Sequence, residues 1–248
     1  MILPIANLTT VHVLAVLFLA TLIRSAFGFG EALVAVPLLA LVLPVEVAAP
    51  VAVLVSITVA AVVVLEDWRN VHVRSAGWLA GSALAGIPLG LWLLKAAPEF
   101  VVKTFLAVVI LSFSLYSLTS RRPRELQDER LAWLFGFSSG VLGGAYGMNG
   151  PPLVMYGVLR RWTPIQFRAT LQGYFLIASL VGMAGYWIAG LWTRAVSGYY
   201  VASLPLVFVA VVLGRVVNRR LSGRSFLQCV YVGLTLIGAT LLVQAWKR

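Results

Sequence analysis

The stretch Phe27-Gly-Phe-Gly-Glu-Ala-Leu-Val-Ala-Val-Pro37 decides the fold, because it places a cluster of glycines inside strongly apolar sequence. A similar stretch, Gly143-Gly-Ala-Tyr-Gly-Met-Asn-Gly-Pro-Pro152, occurs in the second half of the chain. Glycine permits positive φ and close approach, whereas proline removes an amide donor and ends a helix unless it lies in the first turn. Each stretch therefore predicts a helix that breaks and then restarts.

The surrounding composition is that of a membrane protein. The 248 residues are 61% hydrophobic and 11% charged, with a mean hydropathy of +0.97. A soluble domain is about 25% charged. The sequence therefore predicts an all-α polytopic membrane protein whose first apolar segment is retained as a helix rather than removed as a signal peptide. The apolar segments cover roughly residues 8–27, 31–43, 47–65, 76–94, 99–119, 131–146, 150–160, 165–190, 196–217 and 224–246.

Two of these segments, 31–43 and 150–160, are too short to cross a ~30 Å hydrocarbon core, and each follows a glycine cluster. Both breaks are thus predicted to lie within the membrane. A weak alignment, with Pro44–Ala49 on Pro164–Ala169, relates the two halves of the chain. Because each half has five segments, the second half enters from the opposite side. The predicted fold is an inverted repeat of two five-segment halves whose broken or re-entrant helices meet near the midplane.

The predicted organisation is one integral membrane domain with a first repeat at 1–119, a cytoplasmic linker at 120–130 and a second repeat at 131–248. Arginines concentrate in this linker and in the loops at 159–168 and 215–224, which the predicted spans place on one side. The positive-inside rule assigns that side to the cytoplasm and both termini to the periplasm. These loops account for the net charge of +11, so nucleic-acid binding is not expected.

The two breaks also predict an anion site. Pro151 is typical of a first helical position, with Asn149 or Gly150 as the cap, and the helix N-terminus then offers unpaired amides and the positive end of its dipole. Two such N-termini meeting at the midplane would enclose a compact oxyanion. Alternatively, the glycines only allow close helix packing. The substrate-binding residues predicted around the breaks are Gly28, Phe29, Gly30, Glu31, Gly147, Met148, Asn149, Gly150 and Pro151.

Two polar side chains, Arg24 and Gln172, complete the predicted site. An ionised group at membrane depth costs at least about 2.5 kcal/mol unless it is paired or hydrated, so Arg24 and Glu31 are functional candidates. Glu31 is either a structural partner of Arg24 or a titratable group that couples protons to anion movement. Arg24 alternatively snorkels to the cytoplasmic surface. Gln172 is expected to form a hydrogen bond in the site, and Arg168 is interpreted as an interfacial charge that attracts anions.

Catalysis and metal binding are not expected. The single cysteine, Cys229, excludes a cysteine-rich metal site, and His12 and His72 provide no base for a nucleophile at Ser138 or Ser139. These serines are expected to bond to the preceding helical turn. Since no phosphate-loop motif is present, direct use of ATP is not expected either. The sequence thus predicts no catalytic residue, metal or cofactor.

Together, the motifs Gly28–Leu39 and Gly143–Leu153 resemble those of the TauE/SafE family of sulfite and organosulfonate exporters. The resemblance covers essentially the whole chain, including its two-half plan. It implies a bacterial inner-membrane permease that moves small sulfur-containing anions, often outward and without ATP. In one departure, Glu31-Ala32 follows Gly30 where many members of the family carry three consecutive glycines.

The expected function is therefore a secondary transporter, in the exporting direction, that carries small sulfur-containing anions such as sulfite or organosulfonates by alternating access, with or without proton coupling. An anion channel with the same site is the alternative, and an intramembrane hydrolase is a third reading. The expected partners are the small anion and the lipid bilayer. The sequence leaves the oligomeric state open, a homodimer included.

Overall fold

The computed structural model describes residues 8–39, 42–96, 125–146, 149–221 and 223–246, and scattered positions between 104 and 118. Every regular element in these ranges is helical and none is a strand, as predicted. Four segments of the described chain are long and apolar enough to cross a membrane, and they fall on α1, α3, α7 and α8. The α-helices are α1 (Leu8–Phe27), α2 (Glu31–Leu39), α3 (Val45–Asp67), α4 (Val73–Ala96), α5 (Ala132–Tyr146), α6 (Gly150–Leu159), α7 (Pro164–Ile188), α8 (Arg194–Arg220) and α9 (Gly223–Trp246).

The predicted helix breaks are present. Between α1 and α2, Gly28 and Gly30 adopt φ values of +85° and +97°, which side chains other than glycine rarely tolerate. At the second break, α6 begins directly after Asn149 and has proline in its first turn. Gly147 and Met148 of the predicted site lie outside the described residues. The predicted segment at 99–119 also lies largely outside them.

The two helices that follow the breaks are short. α2 has nine residues and α6 has ten, which at 1.5 Å per residue gives roughly 14 and 15 Å. Because a membrane span needs about 20 residues, neither helix crosses a bilayer. The all-helical fold with interrupted helices is confirmed, while the inverted repeat stays a prediction.

The helices pack into two compact units. Unit 1 comprises residues 1–76 and 165–220, which include α1, α2, α3, α8 and nearly all of α7. Unit 2 comprises residues 77–164 and 221–248, which include most of α4, together with α5, α6 and α9. Each unit draws helices from both predicted sequence halves. The two packing units and the two predicted repeats divide the chain at different residues. The boundaries of the predicted repeats therefore stay predictions.

The core of unit 1 is mainly aliphatic, and many of its side chains are small or β-branched. Such residues let membrane helices approach closely, and close packing replaces the hydrophobic effect as the main attraction inside a bilayer. At the crossing of α1 and α8, a Cβ added to Gly214 would lie 2.5 Å from the Cβ of Ser25. α8 therefore lies against the last turn of α1, next to the first break. Fully buried core residues include Val13, Leu17, Ala35, Leu39, Val51, Val55, Val59 and Val207.

Glycines in unit 2 serve a close helix crossing. A Cβ added to Gly136 or Gly140 on α5 would overlap the carbonyl oxygens of Leu79 and Ala83 on α4. The two glycines are four residues apart, so they form the small-residue stripe that is common where membrane helices touch. Close packing of α4 and α5 is sufficient to explain these two glycines. The glycines at the first break have positive φ values, which close packing does not explain.

Candidate functional site at the first helix break

The break after α1 leaves carbonyl oxygens without helical partners, and side chains of α7 and α8 bind them. Arg168 Nε donates to Ser25 O at 2.6 Å, and Asn218 Nδ2 donates to Ala26 O at 2.7 Å. A cationic donor also suits the negative end of the α1 dipole. The unwound backbone is thus enclosed by protein, which is the condition for non-helical backbone at membrane depth.

The start of α7 packs directly on the break. A Cβ added to Gly28 would lie 3.0 Å from Arg168 Cα and 3.6 Å from Phe167 Cδ1. The ring of Phe29 meets the ring of Phe167 edge to face, with centroids 6.4 Å apart. Gly28 is therefore required for two reasons, since its φ is positive and its neighbour is backbone that cannot rotate away.

Substitution of Gly28 by alanine is expected to destabilise the protein by about 1–3 kcal/mol, because the left-handed conformation alone costs alanine roughly 1–2 kcal/mol. Thermal unfolding in detergent measures this effect. The control is Gly182→Ala in α7, where no described atom lies within 4 Å of the added Cβ. That change should be neutral or stabilising by up to about 1 kcal/mol. Equal unfolding temperatures for the two variants would contradict the proposed strain at Gly28.

Five side chains next to the break form what we call the Arg24 cluster: Arg24, Glu31, Ser56, Gln172 and Ser179. Arg24 is 3% exposed, and all three nitrogens of its guanidinium form hydrogen bonds. Nη1 pairs with Glu31 Oε2 and donates to Ser56 Oγ at 2.6 Å. Nε and Nη2 both donate to Gln172 Oε1, at 2.9 and 2.8 Å. The cluster joins α1, α2, α3 and α7 around one buried cation.

Further contacts hold the Arg24 cluster in place. Gln172 Nε2 donates to Gly28 O at 3.4 Å, so the same amide touches both the break and the cation. Ser56 Oγ lies 2.7 Å from Ser179 Oγ, and the Arg24 guanidinium carbon lies 4.9 Å from the centroid of the Phe175 ring. The aromatic face adds cation–π stabilisation at a desolvated position.

One oxygen of the cluster is unused. Glu31 is 6% exposed, and among the residues that the structure describes its Oε1 has no hydrogen-bond partner. Glu31 is the first residue of α2, where the helix dipole favours a negative charge. A buried acceptor without a donor is unfavourable, so Oε1 is the position in the cluster that an additional hydrogen-bond donor would satisfy.

A second buried ion pair lies beside the break. Arg168 is 1% exposed and Asp67 is 4% exposed, and Arg168 Nη1 pairs with Asp67 Oδ2 at 2.6 Å. The other carboxylate oxygen, Oδ1, pairs with Arg219 Nη2 at 3.3 Å. Glu66 pairs with Arg215 at 3.2 Å at the more exposed edge. Arg168 thus links the last turn of α1 to the end of α3.

The structure corrects two of the sequence-based readings. Arg168 is not an interfacial charge, because it is buried and engaged by Asp67. Arg24 does not snorkel, because its head group is enclosed by the cluster. In both cases a partner distant in sequence prevails over the local preference. Ser139 Oγ donates to Asn149 O at 2.6 Å, a contact that the sequence did not indicate.

The second break, in unit 2, has a different local structure. Asn149 occupies the N-cap position of α6, but its side chain makes no capping hydrogen bond. A Cβ added to Gly143 would lie 3.2 Å from Asn149 Cβ, so Gly143 admits close approach of the chain. Gly150 and Pro151 begin α6 as predicted. The role of Asn149, Gly150 and Pro151 in substrate binding stays a prediction.

Of the predicted site residues, the structure brings together Arg24, Gly28, Glu31 and Gln172. Phe29 packs beside them, and Gly30 supplies the second positive φ. Reasoning from sequence missed members and neighbours of the Arg24 cluster and one member of the second ion pair. The serines were missed because an isolated serine in an apolar helix more often bonds to its own backbone. The residues missed are Ser56, Ser179, Phe175 and Asp67.

The Arg24 cluster has the chemistry to bind an oxyanion. A guanidinium presents a planar fork of donors that matches carboxylate, sulfonate and sulfite oxygens, and burial strengthens each bond. In this structure the Glu31 carboxylate occupies part of that fork. The described residues contain no group of three or more histidine, cysteine, aspartate or glutamate side chains that could hold a metal ion.

Comparison with known proteins agrees with this chemistry. A family model described as sulfite exporter TauE/SafE matches residues 13–241. A protein of Cupriavidus necator described as a probable sulfite/organosulfonate exporter TauE is 27% identical over 180 residues, covering 72% of this chain and 70% of that protein. No solved structure matches the chain.

Proposed function

The chain belongs to the TauE/SafE family, and from that premise we propose that it is a secondary transporter of small sulfur-containing anions such as sulfite or organosulfonates, acting as an exporter in a bacterial inner membrane. The observation that carries the proposal is the buried guanidinium of Arg24, which lies beside an interrupted helix and whose carboxylate partner keeps one buried oxygen without a hydrogen bond from any residue that the structure describes. Membership of a transporter family argues against an enzyme.

The proposed binding step is an exchange of partners at Arg24. In the structure Glu31 Oε2 pairs with Arg24 Nη1, so an incoming anion competes with Glu31 for the same donors. Protonation of Glu31 removes its charge and releases the guanidinium. The anion then accepts hydrogen bonds from Arg24 and from amides in the first turn of α2, whose N-terminus favours negative charge.

Alternating access is the proposed mode of transport, because interrupted helices at a central site are typical of carriers that move one part of the bundle against another. An anion channel with the same site is the alternative. Saturable counterflow of labelled sulfite in proteoliposomes would support the carrier, whereas single-channel conductance would support the channel. The inverted repeat, the periplasmic termini and a contribution of Asn149 to the site remain predictions.

Binding of small anions to the purified protein tests the proposed substrate class. Sulfite and organosulfonates should raise the unfolding temperature, and chloride should not. Substitution of Asn149 by alanine should weaken binding about tenfold, which corresponds to one hydrogen bond to a charged group. The control is Asn70→Ala, the same change at an exposed amide. Unchanged affinity in Asn149→Ala would remove this residue from the site, and no binding of any sulfur oxyanion would contradict the substrate class.

Proton coupling is tested by substituting Glu31 with glutamine. Because glutamine cannot ionise, the variant should transport at a rate that no longer depends on pH, whereas the unaltered protein, if proton-coupled, slows as pH rises because fewer protons are available to accompany the anion. Initial rates of sulfonate uptake into proteoliposomes measure this dependence. The matched control is Glu46→Gln, which changes an exposed carboxylate in the first turn of α3. Retained pH dependence in the Glu31 variant would exclude Glu31 as the coupling group.

A further inference from the structure

The buried charges of the described residues balance to zero. Within those ranges the buried side chains that carry formal charges are Arg24, Glu31, Asp67 and Arg168. They form two ion pairs, Arg24 with Glu31 and Arg168 with Asp67. A charge without a partner is strongly disfavoured in a low-dielectric interior. Any anion that enters the Arg24 cluster therefore adds one unbalanced charge unless a buried carboxylate is neutralised.

The geometry points to electroneutral transport. We infer that the transporter carries a monoanion together with one proton on Glu31, and that it discriminates against dianions. The inference rests on the proposed function and names the charge state of the substrate and the stoichiometry. With Glu31 neutral, one negative charge on the substrate balances the positive charge of Arg24. The occupied cluster then has the same net charge as the empty cluster, in which Glu31 is ionised.

Glu31, rather than Asp67, is the carboxylate that can take the proton. Both oxygens of Asp67 are engaged, by Arg168 at 2.6 Å and by Arg219 at 3.3 Å, so protonation there would break an ion pair that the substrate does not replace. Glu31 Oε1 has no hydrogen-bond partner in the described part of the chain. A proton on Oε1 would give the neutral acid an O–H donor, and the anion that replaces Glu31 at Arg24 is the acceptor that we propose for it.

No other charged side chain is seen in contact with Glu31 apart from Arg24 in the described structure. The helices that pack around it carry further titratable groups, and those of α3 and α8 that are charged lie toward the ends of their helices. The exposed groups among them are expected to affect Glu31 only through longer-range, screened interactions, whereas the buried Asp67 and Arg168 form an ion pair with no net charge. The titratable groups on α1, α3, α7 and α8, besides Arg24, are His12, Glu46, Glu66, Asp67, Arg168, Tyr174, Tyr186, Arg194, Tyr199, Tyr200, Arg215, Arg219 and Arg220.

A dianion does not fit the same balance. With one proton on Glu31, it would leave one net negative charge in the cluster, and the Arg24 cluster as described contains a single carboxylate to neutralise. Hydrogensulfite and simple sulfonates are therefore expected to be preferred over the sulfite dianion, sulfate and sulfoacetate, whose carboxylate adds a second charge. Because the anion and its proton together carry no net charge, net flow follows the concentration gradients of the anion and the proton. Outward flow therefore requires that the cytoplasm supply both the anion and the proton.

The test uses the full chain in proteoliposomes with methanesulfonate, which is a monoanion at every pH of interest, and with sulfoacetate and sulfate as dianions. A potassium gradient with valinomycin sets the membrane potential. We expect one proton to enter with each methanesulfonate, no transport current, and an equilibrium accumulation that is the same at 0 and 60 mV. Dianions should enter at least tenfold more slowly. A current carried by methanesulfonate, or dianion rates equal to its rate, would overturn the inference.

The variant Glu31→Gln sharpens the test. It should carry methanesulfonate without a proton, so that 60 mV changes the equilibrium accumulation about tenfold, as for any monovalent ion. Glu46→Gln should behave as the unaltered protein does. If Glu31→Gln does not fold, the ratio of protons to anions in the unaltered protein decides alone. Absence of flux for every anion, sulfite included, would refute the proposed function itself. That result differs from flux that carries a current, which would refute only the electroneutral stoichiometry.

Discussion

Replacement of Arg24 by glutamine is expected to abolish measurable anion binding, a loss of at least a hundredfold, because the guanidinium is the cation at the centre of the cluster. It should also lower the free energy of unfolding by about 3–5 kcal/mol while Glu31 remains ionised, since removal of one member of a buried ion pair leaves the other charge without a partner. Titration calorimetry with methanesulfonate and thermal unfolding in detergent measure the two effects.

Two further variants separate binding from stability at this position. The double change Arg24→Gln/Glu31→Gln removes both charges, so it should regain most of the lost stability and none of the binding. Arg24→Lys keeps the charge but loses the planar fork that bonds Gln172 and Glu31 at once, so binding should fall with the stability partly kept. Normal affinity in the double variant would show that the anion binds elsewhere.

Replacement of Asp67 by alanine is expected to destabilise unit 1 by about 3–5 kcal/mol, because Arg168 would lose its close partner and keep only the carboxylate of Glu66, 3.9 Å from Nη2. Asp67→Ala/Arg168→Met should regain at least half of the loss, since methionine fills much of the arginine's volume without charge. The matched control is Glu66→Gln at the neighbouring position. Its ion pair with Arg215 at 3.2 Å is more exposed, and its distance to Arg168 is long at 3.9 Å, so the change should stay within about 1 kcal/mol.

Transport by the Asp67 variants distinguishes a scaffold from a binding residue. Arg168 holds the carbonyl of Ser25, so its loss is expected to loosen the last turn of α1 and lower the maximal rate more than the affinity. It should leave the pH dependence of transport unchanged, because Glu31 is intact. Equal stability of Asp67→Ala and Glu66→Gln would contradict the assignment of Asp67 as the essential counter-ion.

The sequence was sufficient to predict the breaks because their cause is local. Glycine at 28 and 30 permits the positive φ values of the first break, and proline at 151 favours the first turn of a new helix, so the chain breaks at both places. The apolar segments predicted the helices for the same reason. The spacing of Arg168 and Gln172, four residues apart, also placed them on one face of a helix. Both side chains do bond to the first break.

The partners of these side chains could not be predicted, because they come from distant parts of the chain. The interpretation of Arg168 failed since its burial depends on Asp67, which is 101 residues earlier. Ser56 could not be distinguished from serines that bond to their own helix until Arg24 was seen beside it. Helical periodicity identifies a face, but it does not identify which other helix covers that face.

The long separation between Asp67 and Arg168 has a consequence for how the protein is made. As α3 leaves the ribosome, Arg24 already has a partner seven residues away in Glu31, but the base that neutralises Asp67 has not been synthesised. Until α7 follows, that carboxylate must stay hydrated or be shielded by the insertion machinery. Chains truncated before residue 168 should therefore be recognised as incomplete and degraded, even though the helices that precede this residue have been synthesised.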